Sequence, residues 1–145
     1  MKKKLLIIFL ITTIITSLIP LALAHGDFEE QFASLQTQVV GQHLTGSAAR
    51  YFGDETINIH LTLEDQDQVI IGAKTESGEV KVVNTSELAN PDVDIYTSEQ
   101  TLYDILSSDS QITALGSALK EQHITYTAHG LYNKIKYAIL ISFIK

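Results

Sequence analysis

The spacing of the apolar residues changes along this chain, and that change limits the fold more than any single motif. Near the beginning, apolar residues recur at spacings of 4, 3 and 4, which is typical of one face of an amphipathic helix: Phe28, Phe32, Leu35 and Val39. Across residues 57–63, apolar and polar residues alternate, as in a strand with one buried face. A chain with both patterns in separate blocks is expected to fold as α+β.

The remaining blocks extend this prediction. Further strands are expected at 68–75, 80–85, 92–96 and 123–128, and a short helical piece is expected within 44–53. Two helices follow the fourth strand, with Thr97 or Ser98 and then Asp109 or Ser110 as N-caps, and a last helix covers 131–144. The predicted architecture is therefore a mainly antiparallel sheet of about five strands covered by helices.

The first 24 residues form a separate unit. Lys2, Lys3 and Lys4 precede residues 5–24, which carry no charge and end in an A-x-A pattern. Two interpretations stay open: a cleaved signal peptide that leaves His25 as the new N-terminus, or a retained membrane anchor of about 20 residues. In both cases the predicted units are 1–24, a helical segment 25–53 and a main domain 54–145, the last two lying outside the cytoplasm.

Composition excludes several classes of function. The chain has no cysteine, which rules out disulfides, thiolate catalysis and cysteine-based metal sites. Without the three lysines of the signal segment, seven basic residues remain against 17 acidic ones, a net charge of about −10. Nucleic acid is not an expected partner, because phosphate binding needs a basic face.

No catalytic or cofactor motif stands out, so the sequence predicts no catalytic residue, no metal and no cofactor. The five histidines have no spacing typical of a metal site. One alternative is copper(II) bound by the amine and imidazole of His25 after cleavage, together with a second histidine. Asn84, followed by Thr85 and Ser86, matches an N-glycosylation acceptor.

Residues 90–106, which read NPDVDIYTSEQTLYDIL, resemble the strand and capped, leucine-rich helix of the sterol carrier protein 2 (SCP2-like) lipid-binding domain family. Residues 112–119 and 123–130 resemble the helix, returning strand and glycine that precede the last helix of that family. The resemblance implies binding of a lipid or other apolar molecule between sheet and helices, without catalysis. It also implies a set of lining residues: Leu102, Ile105, Leu106, Leu115, Leu119, Leu131, Ile135 and Ile139.

Three hypotheses follow. The first is an exported lipid-binding or lipid-carrying protein, and the second is a membrane-anchored scaffold or interaction module of the cell envelope with a solid core. The third, an enzyme or copper protein, lacks an identified set of catalytic or ligating residues. The terminal helix could close the interior, line a lipid pocket or touch a bilayer, because its apolar residues extend almost all the way around it.

Overall fold

The computed structural model describes residues 28–142, which form five helices and five strands in an α+β arrangement, as predicted. The segment 1–24 and His25 lie outside the described residues. In chain order the elements are α1 (Phe28–Val39), α2 (Gly46–Phe52), β1 (Thr56–Thr62), β2 (Gln68–Glu76), β3 (Glu79–Asn84), β4 (Val93–Ser98), α3 (Glu99–Ser107), α4 (Gln111–Lys120), β5 (Thr125–Ala128) and α5 (Gly130–Ser142).

The five strands form one sheet in the order β3-β2-β1-β4-β5. Three pairings are antiparallel, which confirms the prediction of a mainly antiparallel sheet. The pairing of β1 with β4 is parallel and runs from Ile57 opposite Val93 to Thr62 opposite Ser98. Parallel neighbours require a crossover, and the chain makes it between β3 and β4.

One face of the sheet is apolar and forms the main core with the helices. α1, α2 and α5 contribute Phe32, Phe52 and Tyr137 to the same buried cluster as Ile71 and Val93 of the sheet. The segment 28–53 therefore packs on the same core as the strands that follow it. A second buried cluster lies around α3 and α4.

The crossover segment between β3 and β4 is attached to the other face of the sheet. Asn58 is fully buried, and its side-chain amide donates to the carbonyl of Leu88 and accepts from the Leu88 amide, both at 2.9 Å. A Cβ on Gly72 would lie only 2.5 Å from the carbonyl oxygen of Ser86. Glycine at that position lets the crossover segment approach β2 closely.

The helices that cover the sheet begin at identifiable residues. Ser98 caps α3 and Ser110 caps α4, each accepting a hydrogen bond from the backbone amide three residues later. The other predicted candidate for the first cap, Thr97, is buried in β4. Gly130 starts α5 with a φ of +78°, a conformation that favours glycine. No helix within residues 28–142 is long and apolar enough to cross a membrane.

Candidate ligand site

Three of the predicted lining residues come together where α3 contacts α4. Ile105, Leu115 and Leu119 are buried in one cluster with Ala118 and Ile124, the residue just before β5. Ile141 of α5 packs against this cluster from the side. The spacing of 115 and 119 places both side chains on one face of α4, as the sequence pattern predicts.

Leu102 lies in the main core cluster, one helical turn before Ile105. Leu106 is the next residue of α3 after Ile105. The two buried clusters meet at Ile95 of β4, which packs against both. The candidate site is therefore the region of α3, α4 and β4 around Ile95, with the second half of α5 next to it.

The other three predicted lining residues lie elsewhere. Leu131, Ile135 and Ile139 are 76%, 53% and 52% exposed on the outer side of α5. The structure therefore does not place these three between the sheet and the helices. The sequence could not distinguish the two sides, because α5 is apolar on both.

A buried polar cluster lies beneath α5 and was not found by sequence reasoning. Its carboxylate is Glu55, directly before β1, and the Glu55 backbone is tied to Thr75 of β2 by two hydrogen bonds of 2.9 and 3.0 Å. Its donors are Lys136 and Tyr137 of α5. Positions 136 and 140 share one helical face, so the sequence signal for a buried lysine was Lys136 standing four residues before Leu140 in an apolar segment.

Glu55, Lys136 and Tyr137 form what we call the inner cluster, and each polar side-chain atom in it has a partner. The Lys136 ammonium contacts one carboxylate oxygen of Glu55 and donates to the Tyr51 carbonyl at 3.3 Å, and the Tyr137 hydroxyl donates to the other oxygen at 2.9 Å. The ammonium also lies 5.6 and 5.0 Å from the ring centroids of Tyr132 and Tyr137. The cluster thus holds α5 against the C-terminal end of α2 and the start of β1.

Burial shifts the titration of both donors. It lowers the pKa of the Lys136 ammonium from its ordinary value of 10.5 to about 8. It also raises the pKa of the Tyr137 hydroxyl, with a smaller contribution from the charge of Asp92. Near neutral pH both groups therefore keep the protons that they donate to Glu55.

A second polar cluster lies on the opposite face of the sheet. The Nε2 atoms of His60 and His129 donate to the two oxygens of Asp94 at 2.8 and 2.6 Å. The ring of Tyr96 stacks on His60, with centroids 4.4 Å apart and planes 14° apart. Parallel pairing of β1 with β4 places these side chains together. The alternation of residues in the sequence predicted that His60 lies on the polar face of β1. The contact of His60 with Asp94 could not be predicted in this way, because it depends on which strand pairs with β1.

Burial alone would raise the pKa of Asp94, but the hydrogen bonds and charges of His60 and His129 lower it below its ordinary value of 3.8. Both imidazole Nε2 atoms are directed at the carboxylate, so His60, Asp94 and His129 form a hydrogen-bond network, which we call the outer cluster. No group of three metal-ligating side chains is found among residues 28–142.

The fold is that of the SCP2-like domains. The chain is similar to sterol carrier protein 2 from Yarrowia lipolytica in its apo form, with a TM-score of 0.50 and 11% identity over 81% of this chain and 98% of that one. At this level of identity, the similarity establishes the fold only.

Two further structures are similar at lower scores. Sterol carrier protein 2 like 2 from Aedes aegypti has a TM-score of 0.46 and 14% identity over 63% of this chain and 74% of that one. The sterol carrier protein domain 2 of Helicoverpa armigera has a TM-score of 0.45 and 12% identity over 68% of this chain and 79% of that one. No protein-family model and no curated protein match the sequence.

Proposed function

We propose that this protein is an exported carrier that binds a lipid or another long apolar molecule between its sheet and helices, without catalysis. The observation that carries the proposal is the fold, which the chain shares over nearly the full length of a sterol carrier protein. Residues 1–24, with their uncharged stretch and A-x-A pattern, support export or anchoring outside the cytoplasm.

The apolar residues around Ile95 support the proposal that the guest is apolar. Leu102, Ile105, Leu115 and Leu119 are all buried and offer hydrocarbon surface from two helices. An acyl chain transferred from water to these residues would gain about 0.8 kcal/mol per buried methylene group. We therefore propose these four residues as the lining, with Leu106 beside them on α3.

α5 is the element that would move to admit a guest. It begins at a glycine and packs on β5, and Glu55 holds its middle turn by Lys136 and Tyr137. Opening that turn separates a buried ion pair, which is costly in an apolar surrounding. The inner cluster would thus keep the site closed when no lipid surface or guest is in contact.

The first test is native mass spectrometry of the protein as recovered from the cells that produce it. A co-purifying apolar molecule, or uptake of a fluorescent fatty acid by the delipidated protein, is expected. Leu115→Phe narrows the proposed lining and should weaken uptake about tenfold, which corresponds to roughly 1.4 kcal/mol. Thermal unfolding must show that this variant still folds.

Leu131→Phe is the matched control, since it makes the same change on the outer side of α5 and should leave uptake from solution without vesicles unchanged. If both variants weaken uptake equally, the lining is not the one proposed. A folded protein with no co-purifying molecule and no uptake would overturn the carrier proposal.

That last outcome would favour the second candidate, an envelope scaffold held by residues 1–24. One observation favours it: the four proposed lining residues are each at most 8% exposed without any guest. A scaffold of this kind would have an intact N-terminus in membrane fractions, which N-terminal sequencing would detect.

A further inference from the structure

α5 has two apolar sides, and the core uses only one. Lys136, Tyr137 and Leu140 are buried, and Ile141 is half-buried beside the second cluster. At 100° per residue, Leu131, Ile135 and Ile139 form a stripe on the opposite side, about 12 Å long. A helix that only covered a core would be polar on that side, so the stripe requires a separate explanation.

Residue types next to the stripe are those found where lipid meets water. Tyr132 borders it and is 75% exposed, and Lys134 borders its other side and is exposed. Tyrosine is enriched at the membrane interface, because its ring is apolar and its hydroxyl is polar. Lysine can extend its ammonium to lipid phosphates while its methylene groups cover apolar surface.

The charge of this part of the chain is opposite to that of the rest. Residues 122–145 contain three lysines and no acidic residue, whereas all 17 acidic residues precede them. Lys136 is buried against Glu55, so Lys134 is the exposed lysine in the described part of this segment, and its charge is complementary to an anionic lipid surface.

The carboxylates that are hydrogen-bonded to α5 or to the residue before it do not reverse this charge. Glu55 contacts the buried Lys136 beneath the helix, and Asp92 accepts a hydrogen bond of 2.8 Å from Asn133. Asp94 accepts from His129, just before the helix begins. All three are engaged on the inner side or at the start of α5, so Lys134 is the charged residue on its outer side among residues 130–142.

We propose that the outer face of α5, formed by Leu131, Tyr132, Lys134, Ile135 and Ile139, docks on the surface of an anionic lipid bilayer. The helix would lie in the plane of the interface, with the stripe among the acyl chains and Lys134 at the phosphates. A second copy is a poorer partner, because it would present the same acid-free segment and oppose like charges.

This inference rests on the proposed function in one respect: the purpose of docking would be to exchange the guest with the bilayer next to α5, the helix that closes the site. The contact itself needs no guest. A retained anchor would favour docking by keeping the protein near a bilayer, because three residues lie between Ala24 and Phe28, a reach of roughly 14 Å.

A local probe tests the proposal in the full protein, because residues 1–24 could bind lipid by themselves. The chain has no cysteine, so Ile135→Cys introduces a single site for an environment-sensitive fluorophore. Vesicles of phosphatidylglycerol and phosphatidylcholine should shift its emission to the blue and allow quenching by spin-labelled acyl chains. The control is Thr113→Cys on the exposed side of α4, which should not respond.

Charge reversal gives the second measurement. Lys134→Glu should weaken the vesicle response of the probe at 135 about tenfold, because each lysine near an anionic surface contributes on the order of 1 kcal/mol and the glutamate is repelled. Lys120→Glu makes the same change at the exposed end of α4 and should have no effect. The wild-type response should also weaken as the salt concentration rises.

Three results would overturn the proposal. The first is an emission of the probe at 135 that does not change when vesicles are added. The second is an emission that is blue-shifted without lipid and varies with protein concentration. The third is an emission that is blue-shifted without lipid and independent of protein concentration. The second result would indicate another copy on this face, and the third a segment of the same chain. Native mass spectrometry of the same sample keeps the two proposals separate, since a bound guest without docking overturns only this one.

Discussion

Two carboxylates in this protein have the same number of partners in different surroundings. Glu55 accepts from Lys136 and Tyr137 beneath α5, where the side chains of the ion pair are only 5% and 7% exposed. The Asp94 side chain is also buried, at 11%, but it accepts from His60 and His129, whose side chains are 21% and 47% exposed on the other face of the sheet. Each cluster fixes one part of α5, its middle turn or the residue before its start.

This difference in exposure should determine how much each cluster contributes to the stability of the folded protein. A charge left alone inside the protein cannot recover its hydration, whereas a charge at the surface can. The inner cluster should therefore control whether α5 remains closed, and the outer cluster should adjust stability with pH. The following predictions are ordered by expected effect, and each could contradict this comparison.

The largest effect is expected from Lys136→Met, which leaves Glu55 buried with the Tyr137 hydroxyl as its remaining side-chain donor. Removing one partner of a buried ion pair should reduce the free energy of unfolding by about 3–5 kcal/mol. Chemical denaturation measures this directly.

Lys134→Met is the matched control for this variant, because the lysine is exposed on the same helix and its removal should change stability by no more than about 0.5 kcal/mol. The double variant Glu55→Gln, Lys136→Met removes both charges and should recover part of the loss. Equal effects of Lys136→Met and Lys134→Met would contradict the role given to the inner cluster.

An intermediate effect is expected from Asp94→Asn, about 2 kcal/mol at neutral pH, because two charge-assisted hydrogen bonds are weakened. The pKa of Asp94 is lower in the folded protein than its ordinary value of 3.8. Its stabilising contribution is therefore complete above pH 3.8 and is lost as the pH falls through the folded pKa.

Denaturation curves between pH 6 and pH 2 should thus show the difference between wild type and Asp94→Asn decreasing toward the acid end. A variant that replaces one imidazole by an uncharged amide, His60→Gln, should show a shallower decrease. A difference that stays constant with pH would mean that the charge of Asp94 is not what stabilises this cluster.

The smallest effects on stability are expected from replacing the two histidines that donate to Asp94. His129→Gln should cost less than about 1 kcal/mol, since nearly half of the His129 side chain is exposed. His60→Gln should cost more, because it also loses the stacking contact with Tyr96. Thermal unfolding of the two variants would test this order, and the reverse order would show that His129 stabilises the start of α5 more than its exposure suggests.

Much of the fold could be predicted because its signals are local. Alternation across 57–63 and the helical spacing around Leu115 and Leu119 depend only on neighbouring residues, as do the caps at Ser98 and Ser110. The α+β class and the five strands followed from these patterns. The parallel pairing of β1 with β4 did not, since it depends on where the crossover segment leads.

The candidate site was predictable only in part. Among the lining residues that the resemblance implied, Ile105, Leu115 and Leu119 lie in one buried cluster, whereas Leu131, Ile135 and Ile139 face outward. Local spacing distinguishes an apolar side from a polar one, but α5 has two apolar sides. The partners of Lys136 decided which of them is buried, and Glu55 is 81 residues away in sequence.

The sequence alone determined the order and type of the elements, the absence of cysteine chemistry, and a basic, acid-free end on an acidic chain. These properties follow from composition and from the short-range geometry of helices and strands. The tertiary structure decided which strand pairs with β1, which donors reach Glu55 and Asp94, and which side of α5 remains exposed. These outcomes depend on contacts between residues far apart in the chain, and local spacing carries no information about such contacts.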